Sequence, residues 1–213
     1  MEIYKLSGEL RITDIKQAVR NENRVNVFVN GKYSFSLDIA QVVDLSVKVG
    51  MILTAERLAE LKKASEFGKL YQRALEWVLV RPRSRKEVYD YLYKKTYEKK
   101  LDKNYINGII NRLKDKKYID DKAFCEYYVE NRFVKKGVSE KRLRMELMKK
   151  GVVSAIIDEV LAGSGRDERG EIQKMITKKR SRYDDEKLIQ YLCRQGFDYS
   201  LVRELVGCSG EMD

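Results

Sequence analysis

From residue 24 to residue 37 the chain alternates between apolar and polar side chains. Val25, Val27 and Val29 are each flanked by polar neighbours, and after Asn30-Gly31 the alternation resumes with Tyr33, Phe35 and Leu37. A period of two marks strands with one buried face. Asn-Gly supplies the two positive φ angles of a type I′ turn at little steric cost, so the stretch predicts a β-hairpin. A further strand is expected over "LRITDIKQAV" (10–19), where Ile12, Asp14 and Lys16 follow strict alternation less well. Asp38 is placed to cap a short helix, "IAQVVDL", and Thr54 to start another, "AERLAELKKA". Residues 1–64 therefore predict a small α+β module, one apolar sheet face covered by helices. It shows no catalytic constellation, and docking or packing is its expected role.

Beyond residue 65 the period changes to that of helices, and one pattern recurs. "SRKEVYDYLYKKTY" (84–97) aligns without gaps on "SEKRLRMELMKKGV" (139–152) and on "DDEKLIQYLCRQGF" (184–197). Each copy opens on a residue whose side chain can accept a hydrogen bond from a first-turn amide: Ser84, Ser139 or Asp184. Two inward apolar positions follow four and eight residues later: Val88 and Leu92, Leu143 and Leu147, Leu188 and Leu192. Gly151 and Gly196 stand where a left-handed C-cap falls; Thr96 departs from that pattern. An apolar-periodic segment precedes each copy (Leu70, Ala74, Leu75, Val78 and Leu79; Phe124, Tyr127, Tyr128 and Phe133; Ile172, Met175 and Ile176). Another follows each (Ile106, Ile109, Ile110 and Leu113; Ile156, Ile157, Val160 and Leu161; Leu201, Val202, Leu205 and Val206). The expected fold is mainly α: tandem three-helix repeats over 65–117, 118–163 and 164–213 stacked into an elongated curved body behind the N-terminal α+β module. "EKKLDKN" (98–104) reads as an insertion in the first repeat. "AGSGRDERG" (162–170) reads as a hinge or mobile loop, and the tail "GCSGEMD" as disordered.

Charge adds a direction to this picture. Lys and Arg outnumber Asp and Glu by 44 to 33, which favours a polyanionic or acidic partner. The excess is concentrated: 24 basic against 15 acidic side chains in residues 65–163, but 10 against 10 beyond them. Cys125, Cys193 and Cys208 form no metal-ligand spacing and read as reduced thiols; with no histidine the common zinc patterns are absent. No nucleophile with a base partner, P-loop or dinucleotide turn appears, and no cofactor or metal is expected; lacking histidine disfavours catalysis without excluding it, because Asp, Glu, Lys and Cys could serve. Signal-peptide and membrane-spanning patterns are missing, and the expected compartment is the cytoplasm.

The cations collect around the starts of the first two repeated helices: Arg81, Arg83, Arg85 and Lys86, then Arg132, Lys135, Lys136, Lys141 and Arg142. A helix N-terminus attracts anions, more so inside a basic collar. The third copy offers Asp184, Asp185 and Glu186 instead and should not bind phosphates in that way. With Leu143 and Leu147 inward, Lys141, Arg142 and Lys149 lie on the outer side as a basic stripe; Arg144 and Lys150 complete the candidate face. The plain alternative is a solvated charged surface. Lys94, Lys149 and Arg194, at one equivalent position, are explained by the helix dipole alone. Asp120-Asp121 and Asp184-Asp185 precede apolar helical runs and read as caps. Tyr89, Tyr91 and Tyr93 cannot form one stacking row, because alternate residues on a helix point about 200° apart.

Four blocks, "RPRSRKEVYDYL", "YIDDKAFCEYYVENR", "KKGVSEKRLRMELMKKGV" and "LIQYLCRQGFDYSLVREL", in this order and spacing resemble the RecX family of bacterial regulatory proteins, which modulate the recombinase RecA. The resemblance covers roughly residues 70–206, and the N-terminal module is similar to the extension of some members. It implies tandem three-helix repeats, no enzymatic activity, docking in the groove of RecA–DNA filaments and some affinity for single- and double-stranded DNA. It also implies restraint of strand exchange, ATP hydrolysis and co-protease function. Groove binding needs no self-association, so a monomer suffices, and no membrane is involved. A direct DNA binder acting as a transcriptional regulator is the competing reading, for which base-reading Asn and Gln are few. On this reading, reversing Lys141, Arg142 and Lys149 should weaken binding more than reversing Lys174, Lys178 and Lys179.

Overall fold

The computed structural model describes residues 9–19, 21–96, 103–132 and 136–208. Phe133, Lys135, most of the "EKKLDKN" insertion and the last five residues of the tail lie outside them. Two compact units divide the chain, Met1–Glu76 with Asp102–Ile109 and Trp77–Leu101 with Ile110–Asp213.

The first unit holds an antiparallel sheet ordered β3-β2-β1-β4, with β1 at Leu10–Ala18, β2 at Asn21–Val29, β3 at Lys32–Asp38 and β4 at Ile52–Leu53. Asn30 (φ 50°) and Gly31 (φ 77°) make the turn between β2 and β3 that their sequence predicts. Ile12, Val27, Val29, Phe35, Leu37 and Leu53 are buried on one face, packed with Val47 and Leu61. Tyr33 departs from the alternation. A register shift between Val27 and Phe28 pairs Val27 with Phe35 but Phe28 with Tyr33. The bulge turns Tyr33 out, 54% exposed and edge-on to Phe28.

Asp38 caps α1 (Ile39–Asp44) through a full capping box with Gln41. Thr54 accepts from the Arg57 amide and opens α2, Ala55–Leu79. The boundary expected at residue 64 falls inside this one continuous helix of 25 residues. Gly68 does not break it but makes room: a Cβ there would lie 2.5 Å from the Gln41 side chain, which donates to Ala64 O. Ser65, also on α2, donates to Ser36 O of β3, so helix and sheet share buried polar contacts as well as apolar ones.

The second unit carries α3 (Arg85–Thr96), the later part of α4 (Lys103–Asp115), α5 (Asp121–Asn131), α6 (Glu140–Lys149), α7 (Ser154–Gly163), α8 (Glu168–Lys179), α9 (Asp185–Arg194) and α10 (Tyr199–Cys208). The triad α5–α7 buries Phe124, Cys125, Val129, Leu147, Val152, Ile157 and Val160 together. The triad α8–α10 does the same with Ile172, Met175, Ile176, Leu188, Leu192, Phe197, Val202 and Val206. All six inward positions of the repeated helix are at most 1% exposed. Gly151 (φ 81°) and Gly196 (φ 94°) are the left-handed residues after α6 and α9. α3 ends on Thr96, whose buried hydroxyl donates back to Leu92 O. No helix among the described residues is long and apolar enough to cross a membrane.

The stretch 162–170, expected as a hinge, is pinned instead. Arg166 turns inward, donates to Val129 O and Arg132 O beyond the end of α5, and pairs with Glu171 at 2.8 Å. Glu171 is 5% exposed and also accepts from Lys174 and from the Val138 amide just before α6. Its glycines allow the turn, but a buried ion pair closes it, and composition alone reports only the first.

Candidate docking surface

The repeated helices meet end to end. Ser84 accepts from the Glu87 amide and donates its own hydroxyl to Lys150 O at 2.7 Å, the carbonyl that ends α6. Ser139 repeats the arrangement, accepting from the Arg142 amide and donating to Gln195 O at 2.6 Å, where α9 ends. Each serine is buried and serves two helices at once. Gly151 and Gly196 permit the approach, since a Cβ would lie 2.7 Å from Lys86 Cβ at the first and 2.9 Å from Ser139 Oγ at the second. In each junction a positive helix start faces a negative helix end, so the two dipoles attract. The third copy has Asp184, 57% exposed, which accepts from the Lys187 amide. A carboxylate cannot donate onward.

The collars therefore surround helix starts that are already occupied. At α3 the Arg85 amide donates to Asp121 at 2.7 Å and the Glu87 amide to Ser84. Several collar cations are tied into the protein as well. Arg81 and Lys150 both pair with Glu87. Arg83 lies over the Trp77 ring, its guanidinium carbon 3.9 Å from the centroid, and Trp77 stacks on Tyr91. Arg132 and Arg142 pair with Glu146, to which Tyr128 also donates; Arg142 reaches Gln195, and Arg144 bridges Glu140 and Asp158. Lys86 pairs with Asp90.

Four members of the predicted face remain exposed with no ion-pair partner among the described residues: Arg85, Lys136, Lys141 and Lys149. Lys135 lies outside those residues. On α6 the two lysines flank Met145 and Met148, 52% and 57% exposed, so the outer side is both cationic and apolar. The methionines escaped the sequence reading, although the 100° step that places Lys141 outside places Met145 beside it. On α3, Tyr89 and Tyr93 stack at 6.2 Å while Tyr91 turns to Trp77, the division that helical geometry requires.

Glu146 gathers the electrostatics of α6. Burial pushes its carboxyl up, but hydrogen bonds from Arg132 and Tyr128, with the nearby guanidinium charges, outweigh this and hold it at about 2. A depressed carboxylate stabilises the fold fully above its ordinary value of 4.5 and loses that contribution as pH falls toward about 2. With Glu146 19% exposed and so partly screened, the loss should be about 2 kcal/mol. Thermal melts across this window should show it, and Glu146→Gln should flatten the dependence.

Cys125 is buried and its thiol pushed up to about 11, and burial raises Cys193 too, so neither is an activated nucleophile. No group of three or more potential metal ligands occurs among the described residues. Capped three-helix units joined end to end and presenting a cationic helix face define a repeat-built helical protein.

Comparison with known proteins narrows the class. Residues 10–54 match the family described as Regulatory protein RecX N-terminal domain, and residues 120–161 match RecX, second three-helix domain. The Regulatory protein RecX of Oceanobacillus iheyensis is 31% identical over 209 residues, covering 92% of this chain and 75% of the relative. That of Bacillus licheniformis is 30% identical over 199 residues, covering 90% and 74%. A crystal structure of regulatory protein RecX superposes with a TM-score of 0.69 at 22% identity over 92% of this chain and 98% of the other, a likeness of fold. The crystal structure of RecX from Lactobacillus salivarius gives 0.52 at 28% identity over 68% and 96%. The chain belongs to the RecX family of regulatory proteins, and its role is regulatory.

Proposed function

We propose that this protein binds RecA–DNA filaments and restrains their recombinase, ATPase and co-protease activities in DNA repair and recombination, without chemistry of its own. The observation that carries the proposal is the outer side of α6, where exposed Lys141 and Lys149 flank exposed Met145 and Met148. Phosphates alone would require only cations. A surface that mixes cations with exposed thioethers suits a partner presenting phosphate and protein together, as a nucleoprotein filament does. In this reading Lys136, Lys141, Lys149 and Arg85 reach the partner. Arg81, Arg83, Lys86, Arg132, Arg142, Arg144 and Lys150 set the shape and potential of the face. The units at 65–117 and 118–163 engage the filament, and the acidic start of α9 keeps 164–213 from binding phosphates in the same way. The protein acts as a monomer in the cytoplasm.

ATP hydrolysis by a RecA filament, followed while this protein is titrated in, tests the proposal. Inhibition at substoichiometric protein is expected. Unchanged hydrolysis together with sequence-selective binding to bare duplex would replace it with a direct transcriptional regulator.

A further inference from the structure

Away from the outer side of α6, a second cationic feature faces a cleft of about 450 Å³ bordered by the start of α3, the end of α4 and the starts of α5 and α7. Arg85, Lys114, Lys117 and Lys122 stand on its walls over Ile110 and Ile119, which are 1% and 5% exposed. Two carboxylates, Asp120 and Asp121, also line it, but both are engaged: Asp120 accepts from the Lys122 and Ala123 amides and Asp121 from the Arg85 amide. Lys122 pairs with Glu159. Arg85, Lys114 and Lys117 have no ion-pair partner among the described residues, so with Lys122 the cations bordering the concavity outnumber its two carboxylates.

The backbone at Lys117 is the independent observation. Lys117 has φ 59°, the left-handed conformation, at the end of α4; its amide donates to Lys114 O and that of Tyr118 to Leu113 O. After α6 and α9 the same closing position is held by Gly151 and Gly196, the residue type for which this conformation is free of strain. A lysine at such a site costs stability that glycine would not. Strain of this kind, held beside a cleft, points to use of the side chain.

We infer that this cleft binds a phosphate group carried by a ligand of nucleotide size. Its volume falls in the range of small-ligand sites, far more than one phosphate fills. The guanidinium and two ammonium groups match the acceptors of a phosphate, and Ile156, half-buried on the cleft wall, leaves an apolar edge for a base. The phosphate could come from a free nucleotide or from a nucleic acid strand, which share this chemistry.

Calorimetry with ADP and fluorescence anisotropy with a labelled single-stranded dT octamer, both in low salt on the full chain, distinguish the sources. Binding of ADP alone identifies a free nucleotide, of the octamer alone a strand, and of both in mutual competition a site open to either. Lys117→Gly should weaken the bound probe about 5–10-fold, while the melting temperature stays unchanged or rises by up to about 3 °C. Lys114→Ala with Lys117→Gly should weaken it at least ~30-fold, and the salt slope should fall by about one for each cation removed. Lys32→Ala with Lys48→Ala, two exposed lysines of the N-terminal unit, should change affinity less than about 2-fold, the scatter of a nonspecific charge effect. Wild-type protein that binds neither probe, unchanged affinity in Lys117→Gly, or equal loss in the control pair would overturn the inference. No recombinase is present in these measurements, so their failure leaves the regulatory proposal standing, and failure of that proposal leaves the cleft.

Discussion

Replacing Glu171 with alanine should lower the stability of the helical unit by about 3–5 kcal/mol, because it strips the partner from a buried cation rather than merely deleting a contact. Glu171 is 5% exposed and accepts at 2.9 Å from the Val138 amide, at 2.8 Å from Arg166 and at 2.7 Å from Lys174. Burial pushes its carboxyl up, but the bonds from Lys174, Arg166 and Val138 outweigh that and hold it below its ordinary value. Lys174, 43% exposed, can turn to water; Arg166, at 16%, cannot without leaving the α5 end that it also caps. Urea unfolding followed by circular dichroism, and by the fluorescence of Trp77, the chain's one tryptophan, measures the loss. Arg166→Met added to Glu171→Ala should recover part of it, with a coupling of at least about 1.5 kcal/mol. A loss below about 1 kcal/mol in the single variant would mean that water already solvates the pair.

This latch shows where the sequence ceases to be legible. The hairpin at Asn30-Gly31, the caps at Asp38, Ser84, Ser139 and Asp184, and the paired apolar positions of the repeated helix are local. Turn chemistry, a side-chain oxygen within reach of its own first turn and a period near 3.6 suffice to read them. What Ser84 and Ser139 do with their remaining proton is not local. The accepting carbonyls lie 66 and 56 residues away, and only the absence of a serine at the third copy hints that the first two have a second duty. The same holds for the collars. Arg81 and Arg132 read as free positive charge until Glu87 and Glu146 are seen beside them. Arg166 reads as part of a polar linker until its carbonyl partners are in place. Gly68 shows the reverse case, a helix-weakening residue retained because a neighbouring side chain needs the space.

The geometry also changes which charge reversal tests the docking face. Arg142 holds Glu146 and Gln195, and Lys174 holds Glu171, so a variant carrying either change would confound lost binding with lost structure. Lys141 and Lys149 carry no such burden, and Arg182 and Arg203, exposed in the third repeat, supply a control of equal charge. Lys141→Glu with Lys149→Glu should weaken binding to RecA–DNA filaments roughly 10–100-fold at about 0.1 M salt, since two attractions become repulsions. Arg182→Glu with Arg203→Glu should stay within about 3-fold, the general effect of net charge at one Debye length or more. The salt dependence separates the two components of the face. Loss of the lysines should reduce the slope of log affinity against log salt by about two, whereas Met145→Ser with Met148→Ser should weaken binding at every salt concentration and leave the slope unchanged. Equal losses from the two charge reversals would assign the attraction to net charge and remove α6 as the contact. A methionine pair without effect would leave a surface that recognises phosphate alone, and bare DNA would then compete with the filament for it on equal terms.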